Sequence, residues 1–205
     1  MILTQHGTNA APISLIGGRI YKVAKIGSQT WLAENLDLKF AACTIGAAGT
    51  PSTPAAWYYN NNETDYGIDG TYKLGLLYNW YAVDYIETNK ATLCPGWHVP
   101  TTTEWDAMLA EIGANPATPL KAQDDSVTVG FPSGWNGTDT TEMGVLPGGR
   151  YNGSFGLIGT DGRYWAANSY AATAAHDRRF TSGTSVSANT NQMTVGYSVR
   201  LVRDT

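Results

Sequence analysis

Between residues 13 and 32, Ile20, Val23, Ile26 and Trp31 are punctuated by Gly17-Gly18 and Gly27-Ser28. That pattern predicts short strands joined by turns. From Ala41 to Ala56 the chain turns to Ala, Gly, Thr, Ser and Pro, and Asn60-Asn61-Asn62 follows, so this stretch reads as surface loop. Leu74, Leu77, Tyr78, Tyr81 and Ala82 then recur at helical spacing, which predicts a first helix from about Lys73 to about Ile86. A second helix is better marked. Thr101 and Glu104 stand in capping-box spacing, Trp105, Met108, Leu109 and Ile112 follow on one face, and Gly113 stops it. From Pro116 to the end the pattern predicts no further helix, only short strand-like pieces such as Arg163–Ala166 and Tyr197–Val202 between Gly-, Ser- and Asn-rich loops. Helices followed by a long irregular β region make the expected class α+β.

Composition narrows the setting. The 205 residues suffice for one domain with its own core, and residues 18–205 are read as that domain, with 1–17 as an N-terminal arm or attachment segment. Charged residues are 15% against 42% hydrophobic and 11% aromatic, so Ser, Thr, Asn, Gly and Tyr must cover the surface, as suits contact outside the cell. A net charge of −4 argues against nucleic acid as a partner, because neutralising phosphates needs an excess of Lys and Arg. No apolar run approaches the roughly 20 residues that cross a bilayer, so no membrane insertion is expected. The start, Met1 to Gly7, lacks a basic region followed by an apolar stretch and is read as carrying no export signal. Cys43 and Cys94 would form one bridge in an oxidising compartment and stay reduced otherwise, and the sequence leaves both open.

Several islands carry a resemblance. They are Ile26–Leu36 (IGSQTWLAENL), Gly75–Trp80 (GLLYNW), Cys94–Thr101 (CPGWHVPT) leading to Glu104-Trp105, Leu146–Arg150 (LPGGR) with Gly159–Trp165, and Gly196–Asp204 (GYSVRLVRD). In this order they resemble the Fibrobacter succinogenes major paralogous domain family, a branch close to the formylglycine-generating-enzyme group of C-type-lectin-like folds. The resemblance implies two helices, short twisted antiparallel sheets and long loops, with Trp31, Trp80, Trp97, Trp105 and Trp165 as scaffold. A Trp flanked by Gly or Pro supplies buried area, with its indole N–H on a loop carbonyl. His98 reads as a structural histidine. Many members are exported lipoproteins, whereas a chain starting like this one suits a virion component.

The last third has a distinct charge pattern. All six Lys and all six Glu fall at or before Glu142, whereas six of the seven Arg lie between Arg150 and Arg203. Related C-type-lectin-like proteins are variable proteins of diversity-generating retroelements, in which template adenines are copied with errors. Changing the adenines of an Asn codon never yields Lys, Glu, Gln, Met or Trp, and after Gly144 only Trp165, Gln192 and Met193 break that rule. Tyr, Ser, Gly and Asn are also the residues of adaptable binding surfaces. Residues 150–195 are therefore the candidate variable region, set against the plain alternative of an ordinary Gly/Ser/Thr-rich loop region. The candidate contacts are Tyr151, Asn152, Phe155, Leu157, Asp161, Arg163, Tyr170, His176, Asp177 and Arg178, in loops between fixed points at Gly149, Gly159, Trp165 and Gly196. Adjacent strand residues point to opposite faces, so His176-Asp177 makes no acid–base dyad; Arg178 or Arg179 would clamp a partner's carboxylate or phosphate.

The resulting expectation is a non-enzymatic receptor- or ligand-binding protein, an adhesin on a virion tail or extracellular surface. Its partner would be a host or bacterial surface protein or glycan, and the N-terminal segment is a candidate for assembling a homo-oligomer, a trimer. No cofactor and no metal are expected. Three alternatives stand beside it. One is a structural fimbrial, tail or cell-surface lipoprotein domain. Another is a calcium-dependent lectin, for which Asn62, Glu63, Asp65 and Asp69 offer oxygen ligands but the usual Glu-Pro-Asn or Gln-Pro-Asp triplet is missing. The third is a formylglycine-generating-type oxidase, whose late cysteines have no counterpart after Cys94.

Overall fold

Gly17 and Gly18 turn the chain between β1 (Ser14–Ile16) and β2 (Arg19–Tyr21). Gly27 and Ser28 do the same between β3 (Val23–Ile26) and β4 (Gln29–Leu32), in a computed structural model that describes residues 14–63, 73–123 and 134–204. The first strands thus form where the sequence places them. On the other side of β4 lies the last strand, β13 (Val202–Asp204), so the end of the chain returns to its beginning. A second small sheet joins β5 (Thr44–Ile45), β6 (Ala55–Trp57) and β7 (Leu77–Tyr78). The protein is α+β, with most strand pairs antiparallel and two parallel, β5–β6 and one pair described below.

The first helix departs from expectation: α1 spans Trp80–Thr88, and Lys73 to Leu76 lies in neither helix nor strand. Gly75 is left-handed, at φ 68, and a Cβ there would lie 2.7 Å from the carbonyl oxygen of Leu36, so the chain cannot coil at this point. Leu77 and Tyr78 are instead paired with β6. Leu77 and Tyr78 are buried all the same, in strand geometry, while Tyr81 and Ala82 do lie in the helix. Asn79 starts the helix, its Oδ1 accepting from Ala82 N–H. One further turn, α2 (Lys90–Leu93), follows before the loop to α3 (Thr102–Ile112).

The capping box of α3 forms as read. Thr101 accepts from Glu104 N–H, and Glu104 accepts from Thr101 N–H at 2.7 Å. Glu104 also meets His98 Nε2, which gives that histidine a structural partner. Burial works to raise the Glu104 carboxyl, but the Thr101 and His98 bonds outweigh it and hold the group below its usual range. Trp105 and Met108 bury the apolar face, contributing roughly 2–3 kcal/mol each.

The expectation of no helix after Pro116 fails by one turn, α4 (Ala117–Leu120). Pro119 is tolerated there because N–H groups in a first turn have no intrahelical acceptor. The last third, expected as short strand-like pieces between long loops, is more regular than that. It forms β8 (Gly148–Tyr151), β9 (Phe155–Ile158), β10 (Gly162–Ala171), β11 (Ala174–Phe180) and β12 (Ser187–Gln192), ordered β12-β11-β10-β8-β9. Only β8 and β10 pair in parallel. Two core clusters flank this sheet. Trp165 and Ala175 join one, with Tyr78, Trp80 and Tyr197, while Tyr164 and Phe180 join the other, with Trp31, Trp105 and Met108. Trp31, Trp80, Trp97, Trp105 and Trp165 are all buried, and the indoles of Trp80 and Trp165 donate to the carbonyls of Ala166 and Tyr78. Cys43 and Cys94 are both free thiols, and burial lifts them to about 12 and about 11. Among the described residues no helix is long and apolar enough to cross a membrane.

Two predictions follow from polar groups enclosed in this frame. Asn79 uses its whole capacity: Oδ1 accepts from Ala55 and Ala82 N–H, and Nδ2 donates to the carbonyls of Pro51 and Thr53. Asn79→Ala is expected to lower unfolding free energy by about 3 kcal/mol in a urea titration. Asn79→Asp, an equally good cap on an exposed helix, is expected to be as damaging, because both carbonyls lose their donors. The second concerns Asp139, which accepts from Gly144 N–H at 2.7 Å. Burial lifts its carboxyl to about 6, against opposition from that bond and from Arg200. The folded chain then holds a proton that the unfolded chain releases above about pH 4, so this group's contribution to stability falls as pH rises toward 6. Asp139→Asn should therefore gain on the wild type by on the order of 2 kcal/mol between pH 4 and 7, read from melting curves at each pH.

Candidate ligand-binding surface

The hairpin of β10 and β11 is enclosed at its base and exposed at its tip. At the base, one face carries a polar network. Asp161, enclosed, accepts from Arg179 Nε and Nη2 at 2.8 and 2.9 Å and from Arg163 Nε at 3.2 Å. Arg163 Nη1 reaches the Tyr197 hydroxyl at 3.3 Å and lies 3.6 Å from Asp177 Oδ2. Asn191 Nδ2 donates to Asp177 Oδ1 at 2.6 Å, tying β12 to β11. Burial raises the Asp177 carboxyl, with Asn191 and the three arginines opposing. The hydrogen bonds to Asp161 push Arg179 upward, so it stays charged.

Strand alternation sends Arg178 to the other face, where Nη2 donates to Thr102 carbonyl at 3.2 Å and to Asp106 at 2.6 Å. This pins β11 to the start of α3. Arg178 is thus enclosed and bonded to α3, while Arg179, 38% exposed at its side chain, is paired with Asp161. His176 and Asp177 fall on opposite faces, as the alternation requires.

The tip is different. Tyr170 is 65% exposed and meets the His176 ring edge-on, at 5.4 Å between centroids. A shallow concavity of ≈ 620 Å³ is lined by Arg163, Tyr170 and His176 together with four consecutive residues of β12, Ala188 to Asn191. Three of the expected contacts therefore meet in one place. Asn189, Thr190 and Asn191 are the residues the candidate set lacks, although they lie inside the region its codon argument marks out. Their signal is the run Asn-Thr-Asn-Gln, uncharged and polar.

The remaining candidates fall elsewhere. Tyr151 is buried, stacked on Trp57 at 4.2 Å, and Phe155 is half-buried between Tyr151 and Tyr59. Asn152 is exposed in the β8–β9 turn, and Leu157 is 39% exposed on β9. Leu157 is also left-handed, at φ 64, a conformation costing a side chain with a Cβ about 1–2 kcal/mol. It is held by Thr160 and Asp161 N–H groups donating to its carbonyl. Because β9 and β12 are opposite edges of the sheet, four strand spacings or about 19 Å separate Phe155 and Leu157 from the β12 residues of the concavity. Of the loop weighed for calcium, Glu63 pairs with Lys39, and Asp65 and Asp69 lie outside the described residues. Among the described residues no cluster of three His, Cys, Asp or Glu could hold a metal ion.

The sequence profile of the Fibrobacter succinogenes major domain matches residues 24–203. The chain belongs to that family. No curated protein matches the chain. In this Fibrobacter succinogenes major domain two of the sequence islands meet the rest of the chain at close range. Gly149, at φ 72, brings β8 against β9 so closely that a Cβ would lie 2.5 Å from Gly156 carbonyl oxygen. Pro100 accepts from Ala167 N–H beside the enclosed Trp97.

Burial separates the candidates into two groups with different expected behaviour. Arg178→Ala removes an enclosed guanidinium with its bonds to the Thr102 carbonyl and to Asp106, whose own side chain is 66% exposed, so a loss of about 1–2 kcal/mol is expected. Tyr170→Ala should change stability by less than about 0.5 kcal/mol. Urea midpoints of the two variants compare them directly, and equal effects would contradict this division.

Proposed function

We propose that this domain is a non-enzymatic receptor- or ligand-binding module with a C-type-lectin-like fold, displayed on a virion tail or extracellular surface. The observation that carries this is the concavity at the β10–β12 end, where Tyr170, His176, Asn189 and Thr190 stand on an enclosed polar base. Aromatic rings beside small amides and hydroxyls suit adaptable recognition. The base keeps strand positions fixed while the outer side chains make few bonds of their own. Two helices of nine and eleven residues, small sheets and long connections support the lectin-like reading. Thiols lifted to about 11 and 12 hold little thiolate at neutral pH, which supports binding over cysteine-based oxidation.

The missing Lys and Glu after Gly144 support a diversified surface of the retroelement type. A second reading, a structural subunit of a fimbria, tail or cell surface, draws on Leu15 and Ile20. These cross-strand neighbours on the β1–β2 hairpin are 66% and 59% exposed and suit contact with another subunit.

Sequencing this locus across a source population tests the diversified reading. Substitutions are expected to concentrate at Asn152, Tyr170, His176 and Ala188 to Asn191, to spare Tyr151, Trp165, Asp177 and Arg178, and to accompany a reverse-transcriptase gene with a template repeat. Even spread across both groups with no template repeat would leave the undiversified structural reading in its place.

A further inference from the structure

Among the described residues β12 is the longest strand at an open sheet edge. Its register with β11 runs unshifted from Ala174↔Gln192 to Arg179↔Ser187. The phase of the ladder is fixed by Met193 N–H, which donates to Thr173 carbonyl at 2.9 Å. Antiparallel main-chain groups point alternately toward and away from the neighbour. Ser187, Asn189 and Asn191 therefore bond to β11, whereas Ala188, Thr190 and Gln192 point outward. Gln192 carbonyl is taken by Val195 N–H at 3.1 Å. That leaves the N–H and C=O of Ala188 and Thr190, and the N–H of Gln192, with no main-chain partner among the described residues.

Sheet edges are commonly blunted by proline, charge or a bulge. β12, Ser-Ala-Asn-Thr-Asn-Gln, has none of these. The opposite edge is blunted, because left-handed Leu157 interrupts β9. Between β12 and the hairpin tip runs the concavity already described.

We infer that the outer edge of β12 docks an extended polypeptide segment, which adds to the sheet as a further strand. The inference rests on the binding function proposed above and names the partner's class. Outward donors and acceptors repeat every second residue, about 7 Å apart, and an extended main chain matches that repeat where the hydroxyls of a glycan do not. Side-chain pockets set the preference. Register places Thr190 beside His176, toward Tyr170, with Asn189 and Asn191 on the opposite face. The incoming segment alternates accordingly, apolar or aromatic on the ring side and polar on the amide side. It carries no required charge at this edge, since Arg163 is already matched by Asp161 and Asp177.

The test screens the intact chain against a displayed library of random ten-residue peptides and against a glycan array. Peptides should bind, and those selected should bind Thr190→Pro more than tenfold more weakly while binding Thr190→Ala within about threefold. Proline removes an outward N–H and blocks the edge without touching the β11 ladder. Amide hydrogen exchange on the wild type keeps the inference open to test if Thr190→Pro fails to fold. Selected peptides should slow exchange at Ala188, Thr190 and Gln192, whereas Asn189 and Asn191 are already protected in the free protein. Peptides that bind without protecting those amides, or equally to Thr190→Pro, would overturn the inference. So would self-association through β12 seen by sedimentation and abolished by the proline. Glycan binding with the edge amides still exchanging would overturn it and leave the binding function standing. Binding of neither probe would count against both.

Discussion

The guanidinium of Arg200 is wholly enclosed, yet among the described residues no carboxylate touches it. Nε donates to Asn35 Oδ1, Nη1 to the carbonyls of Leu32 and Met143, and Nη2 to Gly144 carbonyl, all between 2.7 and 2.9 Å. Burial lowers its affinity for the proton, but a guanidinium so far above neutrality stays charged. The four bonds join the end of β4, the approach to β8 and the returning C-terminal segment at one point. Asn35 extends the tie through Nδ2 to Leu74 carbonyl and to Ser198. Around this point the C-terminal segment forms its bridges: Gly196 to Tyr151, Tyr197 to Tyr78, Ser198 to Tyr164 and Val202 to His98. The sheets are small, and the segment that links them is what makes one body of them.

Such a design explains which elements are legible in the sequence. Helix α3 is set by neighbours three and four residues apart, so Thr101, Glu104 and Trp105 declare it without help from the rest of the chain. Helix α1 is not, because Leu74, Leu77 and Tyr78 have helical spacing while Gly75 must accommodate Leu36, a residue far away in sequence. The β region is obscured for another reason. Tyr164 and Trp165 are adjacent and both buried, since packed clusters lie on both faces of the sheet. Alternation of polar and apolar residues, the usual mark of a strand, is lost there. Further along, Ser187 to Gln192 is exposed on one face and half-buried at Asn189 and Asn191 on the other, and no large apolar residue marks it as a strand.

The same physics divides the candidate surface. Composition singles out the last third but cannot say which of its polar residues face inward. Asp161 and Asp177 are enclosed and bonded to the arginines and Asn191 of the sheet, and Arg178 bonds from the sheet to α3. Tyr170 and His176 keep the expected exposure because the hairpin carries them past the end of the core. Asn189 and Asn191 escape notice because their place beside Arg163 and Asp177 follows from pairing with β11, a long-range contact with no local pattern.

The kink at Leu157 has a meaning for assembly that goes beyond its own strain. A sheet that is open on both sides can grow indefinitely, copy upon copy, and domains of low charge are exposed to that fate at high local density. Here one border is regular and the other is interrupted, so two molecules cannot be linked border to border in an endless head-to-tail series. Growth stops after one addition. A domain crowded on a surface can then keep an open strand available without polymerising into fibres.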